Sequence, residues 1–197
     1  QGLIANYNRL RKNLPPKLPD RVFIWDETFR EGIKAPTVYL TYGEQVRLAK
    51  LMDEAGVAII NVGFPGLSEE EKRTVKRIVN ETFTYSKLTA SAEATKNSIN
   101  ACLESGIKDI TIESPINGLT LQYKLKITKE QALLRIVESI EYAKKHGTNV
   151  NFVLVDATRT PLEDILEVFE AAFKAGASRL GVADSVGFIR PLSMRYL

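Results

Sequence analysis

The densest group of chemically reactive side chains follows a short apolar run, Val22–Trp25. Four charged residues come within one turn of that run, before Gly32: Asp26, Glu27, Arg30 and Glu31. In proteins built from alternating strands and helices, ligands bind at the carboxyl ends of parallel strands. Carboxylates there could hold a divalent metal, and a guanidinium could bind a carboxylate or a carbonyl. A solvated ion-pair loop is the alternative for such a charged stretch.

Composition narrows the classes of function. The 197-residue chain has 44% hydrophobic and 26% charged residues, which is typical of globular domains. A net charge of +3, without a basic stripe that contains aromatic residues, argues against nucleic-acid binding. The sequence has no apolar run of the roughly 18 residues that a membrane span needs, and no signal-peptide core. We therefore expect a cytoplasmic protein with small-molecule ligands and no membrane partner.

Apolar strands alternate with amphipathic helices from residue 21 onward. Six strands are predicted, at 22–25, 57–62, 87–90, 107–112, 150–155 and 179–183. Continuous apolar strands separated by helices indicate a parallel sheet covered by helices. Three helices end in Gly just before the next strand, and no Gly-x-Gly-x-x-Gly follows any strand. The pattern favours a (β/α)8 TIM barrel of the α/β class over a dinucleotide-binding sheet.

The domain organisation follows from that strand count. An N-terminal helix and an extended lead-in are predicted for 1–20, where Pro residues interrupt the chain. Residues 21–197 are predicted to form a partial (β/α) barrel catalytic domain. Because a barrel needs eight βα units and about six are present, we expect truncation before strands 7 and 8.

The single histidine and the single cysteine are predicted to be structural. His146 ends a helix just before Gly147, where a histidine interacts with the last helix carbonyls. Cys102 lies on an apolar helix stripe and reads as a small buried hydrophobic residue. The visible chain therefore offers no histidine base near the strand ends.

Four strand ends carry motifs in a fixed order along residues 21–191. They read Asp26-Glu-Thr-Phe-Arg-Glu-Gly-Ile-Lys34, Asn61-Val-Gly-Phe-Pro65, Asp156-Ala-Thr-Arg159 and Asp184-Ser-Val-Gly187. They resemble Asp-Thr-Thr-Leu-Arg-Asp-Gly-x-Gln, Glu-Val-Gly-Phe-Pro, Glu-Asp-Ala-x-Arg and Asp-Thr-Val-Gly of a known family, with Val155 in place of the acidic residue that begins the third motif. That family is the HMG-CoA lyase-like (pyruvate carboxyltransferase domain) TIM barrels, which include isopropylmalate, homocitrate and citramalate synthases.

The resemblance implies a Claisen-type condensation of acetyl-CoA with a 2-oxo acid. A divalent cation (Mg, Mn or Zn) would act as a Lewis acid on the carbonyl and carboxylate oxygens. A homodimer is expected by the same resemblance. Cleavage of the HMG-CoA lyase type is the alternative activity, and a degenerate barrel that binds without turnover is a further alternative.

Individual residues take their expected roles from the same resemblance. Arg30 is the expected catalytic residue, because a fixed guanidinium stabilises a developing oxyanion, and it also binds substrate. Glu31 is the expected metal ligand, with histidine ligands expected beyond Leu197. The remaining substrate-binding residues are expected to be Lys34, Glu93 and Ser185.

Several residues depart from the family motifs. Lys34 replaces a Gln, Asn61 a Glu and Glu93 an Arg, while Asn117 falls where many members have a His. Lys34 and Glu93 could form a compensating pair. A Schiff-base aldolase that uses Lys34 is a further alternative, although nothing in the sequence indicates the desolvation that would activate this lysine.

Overall fold

The structure, a computed structural model, describes residues 19–197. Six parallel strands form one sheet in sequence order, β1-β2-β3-β4-β5-β6. The strands are β1 (Trp25–Asp26), β2 (Ile59–Asn61), β3 (Lys87–Glu93), β4 (Asp109–Pro115), β5 (Asn149–Val155) and β6 (Arg179–Val182). Sequential parallel neighbours joined by helices form a partial barrel, which confirms the predicted fold class.

Within the described residues five helices connect successive strands, and a sixth follows the last strand. They are α1 (Tyr42–Glu54), α2 (Glu69–Val79), α3 (Lys96–Glu104), α5 (Lys129–Lys145), α6 (Leu162–Lys174) and α7 (Pro191–Tyr196). A short helical turn, α4 (Gly118–Thr120), precedes a π-helical turn at Leu121–Leu125 and lies between β4 and α5. No helix within 19–197 combines the length and apolarity that a membrane crossing requires.

Capping side chains set the starts of the helices. Thr41 and Glu44 form a capping box at α1, and Thr128 with Gln131 does so at α5. Thr95 caps α3 by accepting a hydrogen bond from the Ser98 amide, so this helix begins at Lys96. Thr95 lies just after β3, which ends at Glu93, and its cap therefore fixes the loop between β3 and α3.

The hydrophobic core lies between the sheet and its helices. Alternate residues of the central strands are fully buried against the helices, among them Ile110, Ile112, Phe152 and Leu154. Each such side chain stabilises the fold by roughly 1.5–3 kcal/mol relative to exposure. His146 and Cys102 are structural, as predicted. The His146 ring lies 2.8 Å from the Tyr142 carbonyl oxygen, and burial raises the pKa of the Cys102 thiol to about 12.

The opposite face of the sheet carries polar residues, which form a layer at the amino ends of the strands. The Asn149 amide donates to Asp109 at 2.7 Å, and Arg179 donates to Asn151 Oδ1 at 2.9 Å. Thr89 and Thr111 share a hydrogen bond of 2.7 Å just above this layer. Because these buried and half-buried polar groups bind one another, they hold the strands together below the candidate site.

The first strand differs from its prediction. Val22, Phe23 and Ile24 are exposed, Val22 by 73%, and the paired strand covers only Trp25 and Asp26. Within the described residues β1 lies at the edge of the sheet and pairs only with β2. Val22, Phe23 and Ile24 are therefore not buried, although the Ile24 carbonyl oxygen accepts hydrogen bonds from the Ala58 and Ile59 amides. The other predicted strands are confirmed with shifted ends. The lead-in predicted for 1–20 falls almost wholly outside the described residues.

Candidate active site

Arg30 is held in one orientation at the carboxyl end of the sheet. Its Nη1 lies 3.0 Å from Glu31 Oε1 and its Nη2 lies 3.0 Å from Glu113 Oε2. Its guanidinium carbon lies 5.0 Å from the ring centre of Phe64, within the range of a cation–π contact. Only 11% of the Arg30 side chain is exposed. Three contacts from different elements therefore orient this cation, as a preorganised electrostatic site requires.

A chain of hydrogen bonds links the ends of the first four strands. The Asn61 amide nitrogen donates to Glu27 Oε2 at 2.9 Å and lies 2.9 Å from Ser91 Oγ. Ser91 in turn donates to Glu113 Oε1 at 2.5 Å, and Glu113 binds Arg30. These hydrogen bonds connect the Glu27 carboxylate to the Arg30 guanidinium through three side chains.

Glu27 is the most perturbed acid of this chain of contacts. Burial raises the pKa of Glu27 to about 6, and repulsion from Glu113 adds to the rise. Hydrogen bonding from Asn61 and the charge of Arg30 act in the opposite direction. An acid with a pKa near 6 can exchange a proton close to neutral pH.

Two cavities meet at the Arg30–Glu113 ion pair. One, of about 580 Å³, is also lined by Glu27, Glu31, Lys34 and Ser185. The other, of about 250 Å³, is also lined by Glu93, Lys124 and Arg135. Arg30 and Glu113 line both cavities and therefore form the boundary between them.

Hydrogen bonds join the loops that follow β5 and β6. Asp156 accepts two hydrogen bonds of 2.7 Å from Arg159 and one of 3.1 Å from Asn117. Its backbone amide donates to Ser185 Oγ at 2.9 Å, and Thr158 Oγ1 donates to Asp184 at 2.6 Å. Asp156 adopts a left-handed φ of 59°, which these contacts hold in place. The Asp156–Arg159 pair thus fastens the loop.

The predicted site residues fall into two groups. Arg30, Glu31, Lys34 and Ser185 line the larger cavity together, whereas Glu93 lines the smaller one. Lys34 Nζ lies 2.9 Å from Glu31 Oε1, so Lys34 is paired with Glu31 and not with Glu93. The prediction that Lys34 and Glu93 could form a compensating pair is therefore wrong.

The turn after β2 is positioned by an acid on α2. Glu71 Oε1 accepts a hydrogen bond of 3.0 Å from the Phe64 amide, and burial raises the pKa of Glu71. Gly63 has a φ of 128°, and a Cβ there would lie 2.3 Å from Glu71 Oε1. Only glycine fits this position, and the turn it permits brings the Phe64 ring beside Arg30.

The described residues do not form a metal site by themselves. Within 19–197 no group of three or more His, Cys, Asp or Glu side chains is placed to hold a metal ion. Glu31, 59% exposed, has one carboxylate oxygen close to Arg30 and Lys34. A hard cation accepts such a carboxylate oxygen, and further ligands would be needed for a complete site.

Glu27 belongs to the charged cluster singled out after the first predicted strand, but the sequence assigns no specific role to Glu27, Ser91 or Glu113. The sequence pattern that could have identified Glu113 is the alternation of side chains along a strand. This alternation places Thr111 and Glu113 on the polar face of β4, and Ile110 and Ile112 on its apolar face. Glu27 lies in a turn, so no periodicity marks it. Its importance comes from contacts that only the fold creates.

The fold and the site define a class of protein: a partial (β/α) barrel with charged side chains at the carboxyl ends of its strands. Residues 21–197 match the family model described as HMGL-like, and the chain belongs to that family. The prediction of this family from the strand-end motifs is therefore confirmed.

Relatives of this chain include isopropylmalate and homocitrate synthases. It is 39% identical to a probable 2-isopropylmalate synthase of Methanopyrus kandleri, over 90% of this chain and 35% of that protein. It is also 39% identical to the homocitrate synthase AksA of Methanothermobacter thermautotrophicus, over 92% of this chain and 46% of that protein. The chain thus spans less than half the length of these two relatives.

Solved structures support the fold. The HMG-CoA lyase of Bacillus subtilis superimposes with a TM-score of 0.78 over 90% of this chain and 63% of that chain, at 16% identity. The hydroxymethylglutaryl-CoA lyase of Pseudomonas aeruginosa gives a TM-score of 0.73 at 18% identity, over 89% of this chain and 61% of that chain. At such identities the likeness concerns the fold alone.

Proposed function

We propose that the protein containing this chain is an acyltransferase that condenses acetyl-CoA with a 2-oxo acid. The observation that carries this proposal is the fixed position of Arg30 at the junction of two cavities. The identity to isopropylmalate and homocitrate synthases supports the reaction type. A role in amino-acid biosynthesis follows if the activity is of that type.

Two adjoining cavities suit a reaction of two substrates. Addition of an acetyl group to a ketone develops negative charge on the carbonyl oxygen of each reactant in turn. A guanidinium at the boundary can donate to an oxyanion on either side, and its orientation needs no rearrangement during the reaction. Arg30 is accordingly the proposed catalytic residue and also binds the carbonyl substrate.

The other substrate-binding assignments follow from the cavity linings. Ser185 Oγ accepts a hydrogen bond from the Asp156 amide, which leaves its own proton free to donate to a substrate oxygen. Lys34 would supply a cation beside the larger cavity. Glu93 lines the smaller cavity beside Lys124 and Arg135, where an acid selects against some anionic groups and in favour of hydroxyl or amino groups.

Glu31 is the proposed ligand of a divalent cation. Such a cation, when bound, polarises carbonyl and carboxylate oxygens as a Lewis acid. To bind it, the Glu31 carboxylate would have to exchange its contact with Lys34 for the cation. Calorimetry on full-length protein is expected to show uptake of one Mg²⁺, Mn²⁺ or Zn²⁺ that Glu31→Ala weakens, whereas Glu138→Gln, an exposed change on α5, leaves uptake unaltered.

A thiol-release assay tests the proposed reaction. Full-length protein with acetyl-CoA and a panel of 2-oxo acids is expected to release free CoA only when an accepted 2-oxo acid and a divalent cation are both present. Cleavage of 3-hydroxy-3-methylglutaryl-CoA without any condensation would establish the lyase alternative. Absence of both metal uptake and CoA release would favour a degenerate barrel that binds without turnover.

Assembly and location remain predictions from the resemblance and the composition. A homodimer is proposed, and light scattering of the full-length protein tests it. A cytoplasmic location is proposed as well, and fractionation of the source cells tests it.

A further inference from the structure

Asn61 is a buried amide whose orientation is fixed by its partners. Its Oδ1 accepts a hydrogen bond of 3.2 Å from the Gly63 backbone amide. Because a backbone N–H can only donate, the oxygen of the side chain must face Gly63, and the NH₂ group must face the other way. That group lies 3.2 Å and 2.9 Å from the two carboxylate oxygens of Glu27.

This contact fixes Glu27 at the wall of the larger cavity. The carboxylate receives the Asn61 donor on both oxygens, and it lies on the same cavity as Arg30, Glu31 and Lys34. Asn61 itself is completely buried and also contacts Ser91. An amide buried at the end of β2 therefore determines where the carboxylate of the β1 turn lies.

The two positions depart from the family motifs in a reciprocal way. Glu27 stands where the first motif has Thr, and Asn61 stands where the second motif has Glu. The structure puts these two side chains in contact across β1 and β2. Compared with the family motifs, the two positions together still provide one carboxylate, but it lies in the turn after β1 instead of on β2.

We propose that Glu27 is the proton-accepting carboxylate of this cavity and that Asn61 is its positioning residue. The proposal rests on the acyltransferase function proposed above. In the step concerned, a C–H bond of the acetyl methyl group breaks, its electron pair stays on the substrate as an enolate, and the proton forms an O–H bond on Glu27. Arg30, which faces the same cavity, is placed to stabilise the enolate oxygen.

The surroundings of Glu27 are consistent with this role. Burial and Glu113 raise its pKa to about 6, while Asn61, Trp25 and Arg30 lower it. Glu31, Lys34 and Asp184 are the other charged groups on the same cavity. Since the ionised form accepts the proton, we expect the rate to fall when acid protonates Glu27.

A cycle of variants in the full-length protein tests the pair. Glu27→Gln and Glu27→Thr are expected to lower kcat by roughly 10²–10⁴-fold, the usual contribution of a general base. Asn61→Ala is expected to lower kcat less, because the carboxylate remains. The exchange Glu27→Thr with Asn61→Glu is expected to recover at least about tenfold over Glu27→Thr, since a carboxylate is restored at the cavity.

The control is Glu138→Gln, which removes an exposed acid of α5 and is expected to leave kcat unchanged. Thermal unfolding of each variant identifies any loss caused by misfolding. Wild-type kcat in Glu27→Gln or Glu27→Thr would overturn the proposal, as would an exchange variant that recovers nothing while remaining folded.

A second measurement does not depend on activity. Carbon-13 spectra of protein labelled at the Glu side-chain carboxyls are expected to show one signal titrating near pH 6 that is missing in Glu27→Gln. In Asn61→Ala this signal should titrate at higher pH, because a hydrogen bond that favours the ionised form is gone. A titration unaffected by Asn61→Ala would overturn the positioning role. Absence of CoA release from wild-type protein would instead contradict the proposed function.

Discussion

The guanidinium of Arg30 lies 3.0 Å from the carboxylate of Glu113, although 83 residues separate them in the sequence. Arg30 follows β1 and Glu113 lies on β4, so the contact crosses the mouth of the partial barrel. Both side chains are largely buried, and each cavity of the site borders on the pair. The position of the cation at the site therefore depends on an acid from another strand.

The first prediction concerns that acid. Glu113→Gln keeps the shape of the side chain and an acceptor for Ser91, but it removes the charge opposite Arg30. We expect a loss of stability of about 1–3 kcal/mol, because a buried cation loses one partner. Chemical denaturation measures this loss. The exposed change Glu138→Gln is the control, and equal stability of the two variants would contradict the prediction.

The second prediction concerns Gly63. In Gly63→Ala the new Cβ would lie 2.3 Å from Glu71 Oε1, and a φ of 128° is one that only glycine adopts readily. We expect a loss of stability of about 1–3 kcal/mol or more, from backbone strain and the displaced carboxylate. Thermal unfolding measures it.

The matched control for this change is Gly43→Ala. Gly43 lies in α1, and a Cβ there meets no atom within 4 Å. This variant is expected to gain about 0.4–1 kcal/mol, because alanine restricts the unfolded chain. If the two variants had the same unfolding temperature, the close packing of the turn after β2 would be refuted.

The third prediction concerns a carboxylate far from the site. Asp53 of α1 accepts hydrogen bonds from the amides of Thr84, Tyr85 and Ser86, at 2.8, 2.8 and 2.6 Å. The backbone hydrogen bond from Thr84 is the largest of the effects that hold the pKa of Asp53 well below its usual range. The ionised form is therefore the one that stabilises the fold.

The sign of the pH dependence follows from that lowered pKa. The stability that Asp53 provides is fully present above the ordinary aspartate pKa of about 3.9 and is lost as the pH falls toward its folded value. Asp53→Asn should therefore unfold at lower temperature than wild type at pH 7, and the difference should shrink in acid. The neighbouring exposed change Glu54→Gln should show no such trend; a difference for Asp53→Asn that stays constant with pH would refute this prediction.

The fourth prediction separates the roles offered for Lys34. This lysine pairs with Glu31, and both side chains are at least half exposed. Lys34→Ala should change stability by less than about 1 kcal/mol, because exposed pairs contribute little. We expect it to raise KM for the 2-oxo acid and to retain turnover. Borohydride trapping of a keto acid on Lys34, with complete loss of turnover in Lys34→Ala, would establish the aldolase alternative instead.

Local sequence signals predicted much of this fold. Strand and helix alternation, Gly stops and a capping residue such as Thr128 act within a few residues of the feature they set. The order of motifs at the strand ends then indicated which end of the sheet carries the site. Arg30 needed no tertiary information, because its motif is contiguous.

The contacts of the site were less predictable. Lys34 pairs with Glu31 three residues away rather than with Glu93, because Glu93 borders a different cavity. The Glu27–Asn61 contact joins positions 34 residues apart and exists only because β1 and β2 pair in one register. The first strand was predicted over 22–25, whereas the structure has it at Trp25–Asp26. An apolar run does not indicate which neighbouring elements are present to bury it.

The most direct test of the central claim follows carbon from acetyl-CoA into product. Full-length protein is supplied with acetyl-CoA labelled in the acetyl group, an accepted 2-oxo acid and a divalent cation. Mass spectrometry is expected to find the label in a hydroxy acid that contains the carbon skeletons of both substrates. Arg30→Lys, which keeps the charge and loses the planar geometry, should form this product roughly 10²-fold more slowly. Label found only in free acetate, or equal rates for wild type and Arg30→Lys, would contradict the account.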